Sequence, residues 1–268
     1  MKITVVTVAY NEERTIKKTI ESVLGQSSDA IEYIICDGKS QDKTVEIANS
    51  YRENFIEKEI TYTVNSEKDL GIYDAMNKGV KMAEGDYICF LNAGDFFCEK
   101  NVIESVINAI EQNQFPDIVY GNIVNVDRNV ITYGYGDDRY LFSDMSVPHP
   151  ATFTKTSLLK ENLFDTKYKI AADYNFVLGQ KISGKKFFHI DKFITYFSFE
   201  GVSNNNLLEA MKECEAIKNS YGLKTSDTMR VRYRYIKRFV TQKIKKFLPQ
   251  KLWELWCVKI KQKELYIK

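Results

Sequence analysis

The hydrophobic positions of this chain change period several times, and each change predicts an element. Ile3-Thr4-Val5-Val6-Thr7-Val8 is a run of β-formers that reads as a first strand, left by the polar loop Ala9-Tyr10-Asn11-Glu12-Glu13. Ile16, Ile20, Val23 and Leu24 recur at three- and four-residue steps, which puts them on one face of a helix ending near Gly25. Glu32–Cys36 is a second strand running into Asp37-Gly38-Lys39-Ser40, with Ser40 as the N-cap of a helix carrying Val45, Ile47, Ala48 and Tyr51. A third strand is predicted near Ile60–Val64. Ile72, Ala75, Met76, Val80 and Ala83 return to helical spacing, Gly85-Asp86 breaks it, and Tyr87–Leu91 reads as a strand buried on both faces. Strand and helix alternate with a polar loop after each strand. That is the pattern of βαβ units, and it predicts an α/β fold with a mainly parallel sheet flanked by helices.

The pattern then changes. Val102, Ile103, Val106, Ile107 and Ile110 mark one more amphipathic helix, after which Asp117–Asp127 and Val130–Tyr135 read as strands joined by a turn at Asp127-Arg128-Asn129. Pro148-His149-Pro150 punctuates the chain. A helix is predicted from Ala172 to Lys181, strands over Lys186–Ile190 and Phe193–Phe199, and a helix over Leu207–Tyr221 with Leu207, Leu208, Met211, Cys214 and Ile217 on one face.

Composition narrows the class. With 268 residues, 44% hydrophobic and 28% charged, the chain has material for one large α/β domain with an appendage. Five cysteines, odd in number and without a C-x-x-C pair, suit a reduced, cytoplasmic protein without a disulfide framework or zinc site. No signal peptide and no membrane-spanning run is expected. The overall charge of +2 conceals a division: residues 230–268 hold thirteen Lys and Arg against two Glu, a balance of +11, which leaves the body at −9.

Candidate chemistry sits at the predicted strand ends. Asn92-Ala93-Gly94-Asp95 places a carboxylate just beyond a strand's carboxyl end, where open α/β sheets bind ligands. Asp95 there suits a hard divalent cation; it equally suits a turn with Asp capping a helix from about Lys100. Neither Gly-x-Gly-x-x-Gly nor Gly-Lys-Ser/Thr is present, so a nucleotide would be gripped instead by Glu12, Asp37, Asp69, Asn92 and Asp95.

Four stretches together, Thr7–Glu13, Asp37-Gly38, Asp69–Gly79 and the strand with Asn92–Asp95, resemble the family-2 glycosyltransferases of GT-A fold. The nearest likeness is to enzymes that build bacterial capsule, exopolysaccharide or O-antigen. The resemblance spans about residues 1–200 and is densest over 1–97. It implies inverting transfer of a sugar from a nucleoside diphosphate sugar, usually uridine- or guanosine-linked and UDP in the first instance, to a hydroxyl of a glycan or lipid-linked glycan. It places Thr7, Tyr10, Glu12, Asp37, Lys68, Asp69, Asn77 and Asn92 around the nucleotide-sugar and Asp95 on Mg²⁺ or Mn²⁺. His149 is a second candidate for the metal, the diphosphate or the acceptor, or is a structural histidine held by its prolines. The family's full acidic motif has Asp where Asn92 and Gly94 stand, so Asp95 is the one carboxylate left in it. Asp173, at the entry of the Ala172 helix, matches the position of the general base; a plain helix-capping Asp is the alternative.

The resemblance gives a glycosyltransferase domain over 1–200 (a nucleotide-sugar half, 1–115, and an acceptor half, 116–200), and helical spacing and charge add a packing helix over 201–229 and a basic amphipathic tail over 230–268. Lys and Arg interleaved with Trp and Phe in that tail suit the surface of an anionic membrane, while the acidic body argues against nucleic acid. A sugar nucleotidyltransferase and a non-catalytic nucleotide-sugar-binding protein are the competing classes.

Overall fold

The computed structural model describes residues 1–127, 130–198, 206–223, 236, 239–241, 243–244, 247–261 and 264–265. Its first half runs β1 (Ile3–Ala9), α1 (Ile16–Leu24), β2 (Ile31–Asp37), α2 (Thr44–Ser50), α3 (Arg52–Glu57), β3 (Thr61–Ser66), α4 (Ile72–Met82) and β4 (Tyr87–Phe90). These strands form a parallel block in the order β3-β2-β1-β4. Every residue of β1, β2 and β4 is buried, which is why their sequences are nearly unbroken apolar runs. Alternation sorts the side chains into two layers. Ile3 and Val5 of β1 join Ile16, Ile20 and Val23 of α1 on one face, and Val6 and Val8 join Met76 and Val80 of α4 on the other.

Helix α4 lies close on the sheet because Gly79 has no side chain. A Cβ there would stand 2.5 Å from Val6 Cγ1 and 3.3 Å from Cys36 Sγ. On the other layer Phe55 of α3 stacks on Tyr62 of β3 at 4.4 Å between ring centroids.

The second half adds β5 (Phe96–Phe97), α5 (Val102–Gln112), the hairpin strands β6 (Ile118–Asp127) and β7 (Val130–Gly134), β8 (Thr152–Lys155), α6 (Thr156–Glu161), α7 (Ala172–Ile182) and β9 (Phe187–Ser198). Strand β8 pairs antiparallel with both β4 and β6, so the parallel block continues into a mixed one. β9 runs parallel to β6 with a register shift between Tyr120 and Ile123, and its far end pairs with β5. That shift explains why the two predicted strands, Lys186–Ile190 and Phe193–Phe199, are a single strand: the bulge carries the pairing across Asp191-Lys192.

Two predicted caps are corrected. α2 starts at Thr44 after Lys43, and Ser40 bonds Asp37 instead of a helix end. α5 follows Asn101, so Asp95 caps nothing.

Beyond the sheet, the helix Leu207–Ser220 packs Cys214 and Ile217 into the same layer as α7. In the tail, the helix Gln250–Lys261 buries Trp253 and Cys257 against Val130, and Glu264–Leu265 pairs with β7. Trp253 is therefore core and unavailable to a membrane. No disulfide joins any of the five cysteines.

Candidate active site

The carboxyl ends of β1 and β2 lie side by side, Ala9 opposite Asp37. The loops leaving them are stitched together: Asn11 N donates to Ser40 Oγ at 2.8 Å, Gln41 N to Asn11 Oδ1 at 2.8 Å, and Glu12 N to Thr44 Oγ1 at 2.7 Å. Asn11 takes φ +56° to make this turn, a left-handed conformation that Asn tolerates better than most residues. Asp37 is buried and accepts from Ser40 N at 3.0 Å, from Ser66 Oγ at 2.6 Å and from Ser40 Oγ. Beside it, a Cβ on Gly38 would fall 2.5 Å from Asp69 Oδ2 and 3.3 Å from the Tyr10 ring. Tyr10, Gly38 and Asp69 thus meet at one rim, with Tyr10 60% exposed above it. Lys68 is exposed nearby and its carbonyl accepts from Lys78 Nζ at 2.7 Å. The Glu12 carboxylate accepts from Thr15 Oγ1.

Two residues expected at the nucleotide do other work. Thr7 is fully buried, and its hydroxyl donates to Leu91 O at 2.7 Å and lies 3.0 Å from Tyr33 Oη, so it ties β1 to β4. Asn77 is buried on α4, where Nδ2 donates to Phe164 O and Oδ1 accepts from Phe164 N, each at 2.9 Å. Both of its polar atoms are spent on holding the segment before α7, out of a ligand's reach.

A cavity of about 470 Å³ opens between the two halves of the sheet, with Asn92, His149 and Asp173 in its wall. Asp173 stands in the first turn of α7. The Tyr73 hydroxyl of α4 lies 2.8 Å from Asp173 Oδ1 and 2.7 Å from Ile170 O, and Tyr174 N also donates to Oδ1 at 2.9 Å. Asp173 Oδ2 is left facing His149 Nδ1 at 3.8 Å. Burial and the Asp173 charge hold the Tyr73 hydroxyl well above its ordinary pKa, so it stays protonated as a donor. The His149 ring lies flat against Phe90, 5.4 Å between centroids. Burial lowers its pKa, the Asp173 charge opposing, which favours the neutral imidazole. Apolar side chains complete the wall, among them Met76, Met145, Leu207, Ala210 and Cys214. His189, by contrast, sits outside this wall, its Nε2 2.9 Å from Asn122 Oδ1.

Two buried polar atoms of this wall, Asn92 Oδ1 and His149 Nε2, have no hydrogen-bond partner among the described residues. Leaving such atoms unmatched is costly, which points to a ligand group opposite them. Asp95, three residues after Asn92 in the same turn, is 4% exposed and accepts from Ser198 N at 3.0 Å. Burial pushes its pKa up to about 8, with Glu12 adding repulsion. A cation nearby would remove that penalty. Asn92 and Asp95 offer hard oxygens suited to Mg²⁺ or Mn²⁺. No cluster of three His, Cys, Asp or Glu exists among the described residues, so these donors fit a cation only when a diphosphate fills most of its shell.

Tyr73 escaped the sequence reading. Its signal was a Tyr in an otherwise aliphatic helix stripe, whose hydroxyl has to find a partner once buried.

Residues 4–177 match the model of the glycosyl transferase family 2. A PGL/p-HBAD biosynthesis glycosyltransferase of Mycobacterium tuberculosis is 30% identical over 190 residues, covering 69% of this chain and 72% of the relative. Among solved structures, Staphylococcus aureus TarS 1–349 in complex with UDP-GlcNAc superimposes with a TM-score of 0.63 at 20% identity, over 90% of this chain and 73% of that one. A mannosyltransferase from Pyrobaculum calidifontis in complex with GDP-Man and Mn²⁺ gives 0.62 at 16% identity, over 79% and 61%. These two likenesses are of fold.

Proposed function

The chain belongs to glycosyl transferase family 2 and is a glycosyltransferase of GT-A fold, and from that premise we propose that it transfers a hexosyl or N-acetylhexosaminyl group, with inversion, from a nucleoside diphosphate sugar to a hydroxyl of a glycan or lipid-linked acceptor in cell-surface polysaccharide synthesis. The observation that carries the reading is one cavity whose wall holds Asp173, steadied by Tyr73, together with Asn92 and His149, each of which keeps a buried polar atom without a partner among the described residues. The relatives solved with UDP-GlcNAc and GDP-Man support a nucleotide-sugar donor, for which Tyr10, Asp37 and Asp69 form the nucleotide rim.

The chemistry follows from the placement. The Asp173 carboxylate takes the proton from the acceptor hydroxyl as its oxygen attacks the anomeric carbon from the face opposite the diphosphate. The bond from that carbon to the diphosphate oxygen breaks, and the nucleoside diphosphate leaves with the electron pair. Tyr73 keeps the carboxylate oriented, and the apolar wall excludes water that would otherwise take the sugar. Asn92 and Asp95, with His149 as a further candidate, would hold a divalent cation, whose charge would offset that of the leaving diphosphate.

Membrane association at the cytoplasmic face is part of the proposal. Ile236, Val240 and Ile244 recur every four residues and, with Phe247, are exposed in a tail rich in Lys and Arg.

The test is a panel of nucleotide-sugars with and without Mn²⁺, run on the parent and on Asp173→Asn. Turnover is expected to drop about 10²-fold or more while nucleoside diphosphate affinity holds. A loss of affinity as large as the loss of rate would make Asp173 a binding residue and sink its role as base.

A further inference from the structure

The carboxylate of Glu213, on the helix Leu207–Ser220, accepts from three consecutive backbone amides. Lys169 N reaches Oε1 at 2.8 Å, and Ile170 N and Ala171 N both reach Oε2 at 2.9 Å. These amides form the segment that enters α7 two residues before Asp173. On its other side the same segment is held through Ile170 O by the Tyr73 hydroxyl, which also touches Asp173. The helix bearing Glu213 lies beyond residue 177, where the family match stops, yet it supplies Leu207, Ala210 and Cys214 to the cavity wall.

Charge-assisted bonds from three adjacent N–H groups fix the φ and ψ angles of the residues between them far more tightly than neutral contacts would. Those angles decide where the first turn of α7 points its Asp. A misplacement of a reacting group by about 1 Å costs on the order of 10²-fold in rate. We propose that Glu213 is a positioning residue for the general base: it sets the direction of the Asp173 carboxylate from outside the residues that match the family, which makes the Leu207–Ser220 helix part of the acceptor side of the site. The proposal rests on Asp173 being the base.

The experiment is a double-mutant cycle on the full chain with Glu213→Gln and Glu213→Ala, each alone and combined with Asp173→Asn. Glutamine keeps one acceptor oxygen and alanine none, so turnover is expected to fall about threefold to tenfold for the first and further for the second. Nucleoside diphosphate affinity should stay at the parent value in both. In the Asp173→Asn background, either Glu213 change should cost nothing more, because a residue acting through Asp173 has nothing left to act on. An equal fold-loss in both backgrounds, or parent-like turnover of Glu213→Ala, would overturn the positioning role and leave Asp173 as base. Near-parent turnover of Asp173→Asn alone would instead overturn the base assignment. Glu213→Gln, which preserves length and one acceptor oxygen, keeps the cycle readable should the alanine variant fold poorly.

Discussion

Replacing Asn77 separates packing from ligand binding, because its residue type and motif suggest one and its surroundings the other. Asn77→Ala removes both bonds to Phe164 and leaves a buried N–H and a buried C=O without partners. Each such group costs about 1–3 kcal/mol, so the variant should lose about 3 kcal/mol of stability. For a chain of this size that corresponds to a melting temperature lower by about 6–12 °C. Asn77→Asp adds a second reading. The introduced carboxyl can still accept from Phe164 N, but ionised it sets a negative oxygen against Phe164 O. Protonated, it can donate there as the amide does. Its folded-state pKa is therefore raised, and its destabilisation should shrink as pH falls through that raised value toward the ordinary carboxylate range, leaving it smaller at pH 5 than at pH 8. Thermal melts of the three proteins at pH 5 and pH 8, with calorimetric titration of UDP above pH 7, make the assay. UDP affinity should match the parent once the fraction folded is accounted for. Melting within a degree of the parent together with a large loss of UDP affinity would refute the reasoning and return Asn77 to the nucleotide site.

The other expected outcomes are shorter. Gly38→Ala, whose Cβ would meet Asp69 Oδ2 at 2.5 Å, should weaken nucleoside diphosphate binding by displacing Asp69 while leaving the melting temperature near the parent's; unaltered titration would remove the Gly38–Asp69 rim from the site. Asp95 has its folded pKa raised from 3.8 to about 8, so between those values the folded state holds a proton that the unfolded chain has released, and stability falls as pH rises through that window. Without added cation, Asp95→Asn should therefore melt above the parent at pH 8 but not at pH 4, and should lose any stabilisation by Mn²⁺; a pH-independent difference would disprove the burial argument. Ile236→Glu with Ile244→Glu should reduce co-flotation with anionic vesicles without lowering donor hydrolysis, and undiminished flotation would count against the tail's apolar face as the membrane contact.

Legibility along the chain followed burial. β1, β2 and β4 were plain because strands covered on both faces must be apolar throughout, and α1, α4 and α5 because each buries a single stripe. The two-residue β5 leaves no periodic trace, and Asp191-Lys192 masks the continuity of β9. Strand-end chemistry was legible only as position. Asp69 stands beside Tyr10 and Gly38, and Asn92 and Asp173 stand in the cavity wall, but Thr7 and Asn77 carry the same kinds of polar atom and bury them in the scaffold. A hydroxyl or amide facing a ligand and one facing a backbone carbonyl look alike in sequence. Glu213 was hidden for a further reason: its partners are backbone amides, which every residue has, so no side-chain motif announces it.

The two halves of the site are joined by one helix face. Tyr73 and Asn77 are four residues apart on α4, about one turn, so their side chains project in nearly the same direction. Asn77 holds the chain at Phe164 and Tyr73 holds it at Ile170 and Asp173. The segment that delivers the carboxylate is thus pinned at both ends to a helix of the parallel block, and Gly79 lets that helix sit hard against β1. The N-terminus of α4 follows directly from Asp69-Leu70-Gly71, at the rim proposed for the nucleotide, where Asp69 accepts from Gly71 N at 2.9 Å. The rim proposed for the donor, helix α4 and the segment bearing the proposed base therefore form one continuous path. Placing a proton acceptor against an anomeric carbon needs such a path, since the two groups come from chain positions about a hundred residues apart. The apolar stripe of α4 gives the path its stiffness, and its two polar interruptions give the path its direction.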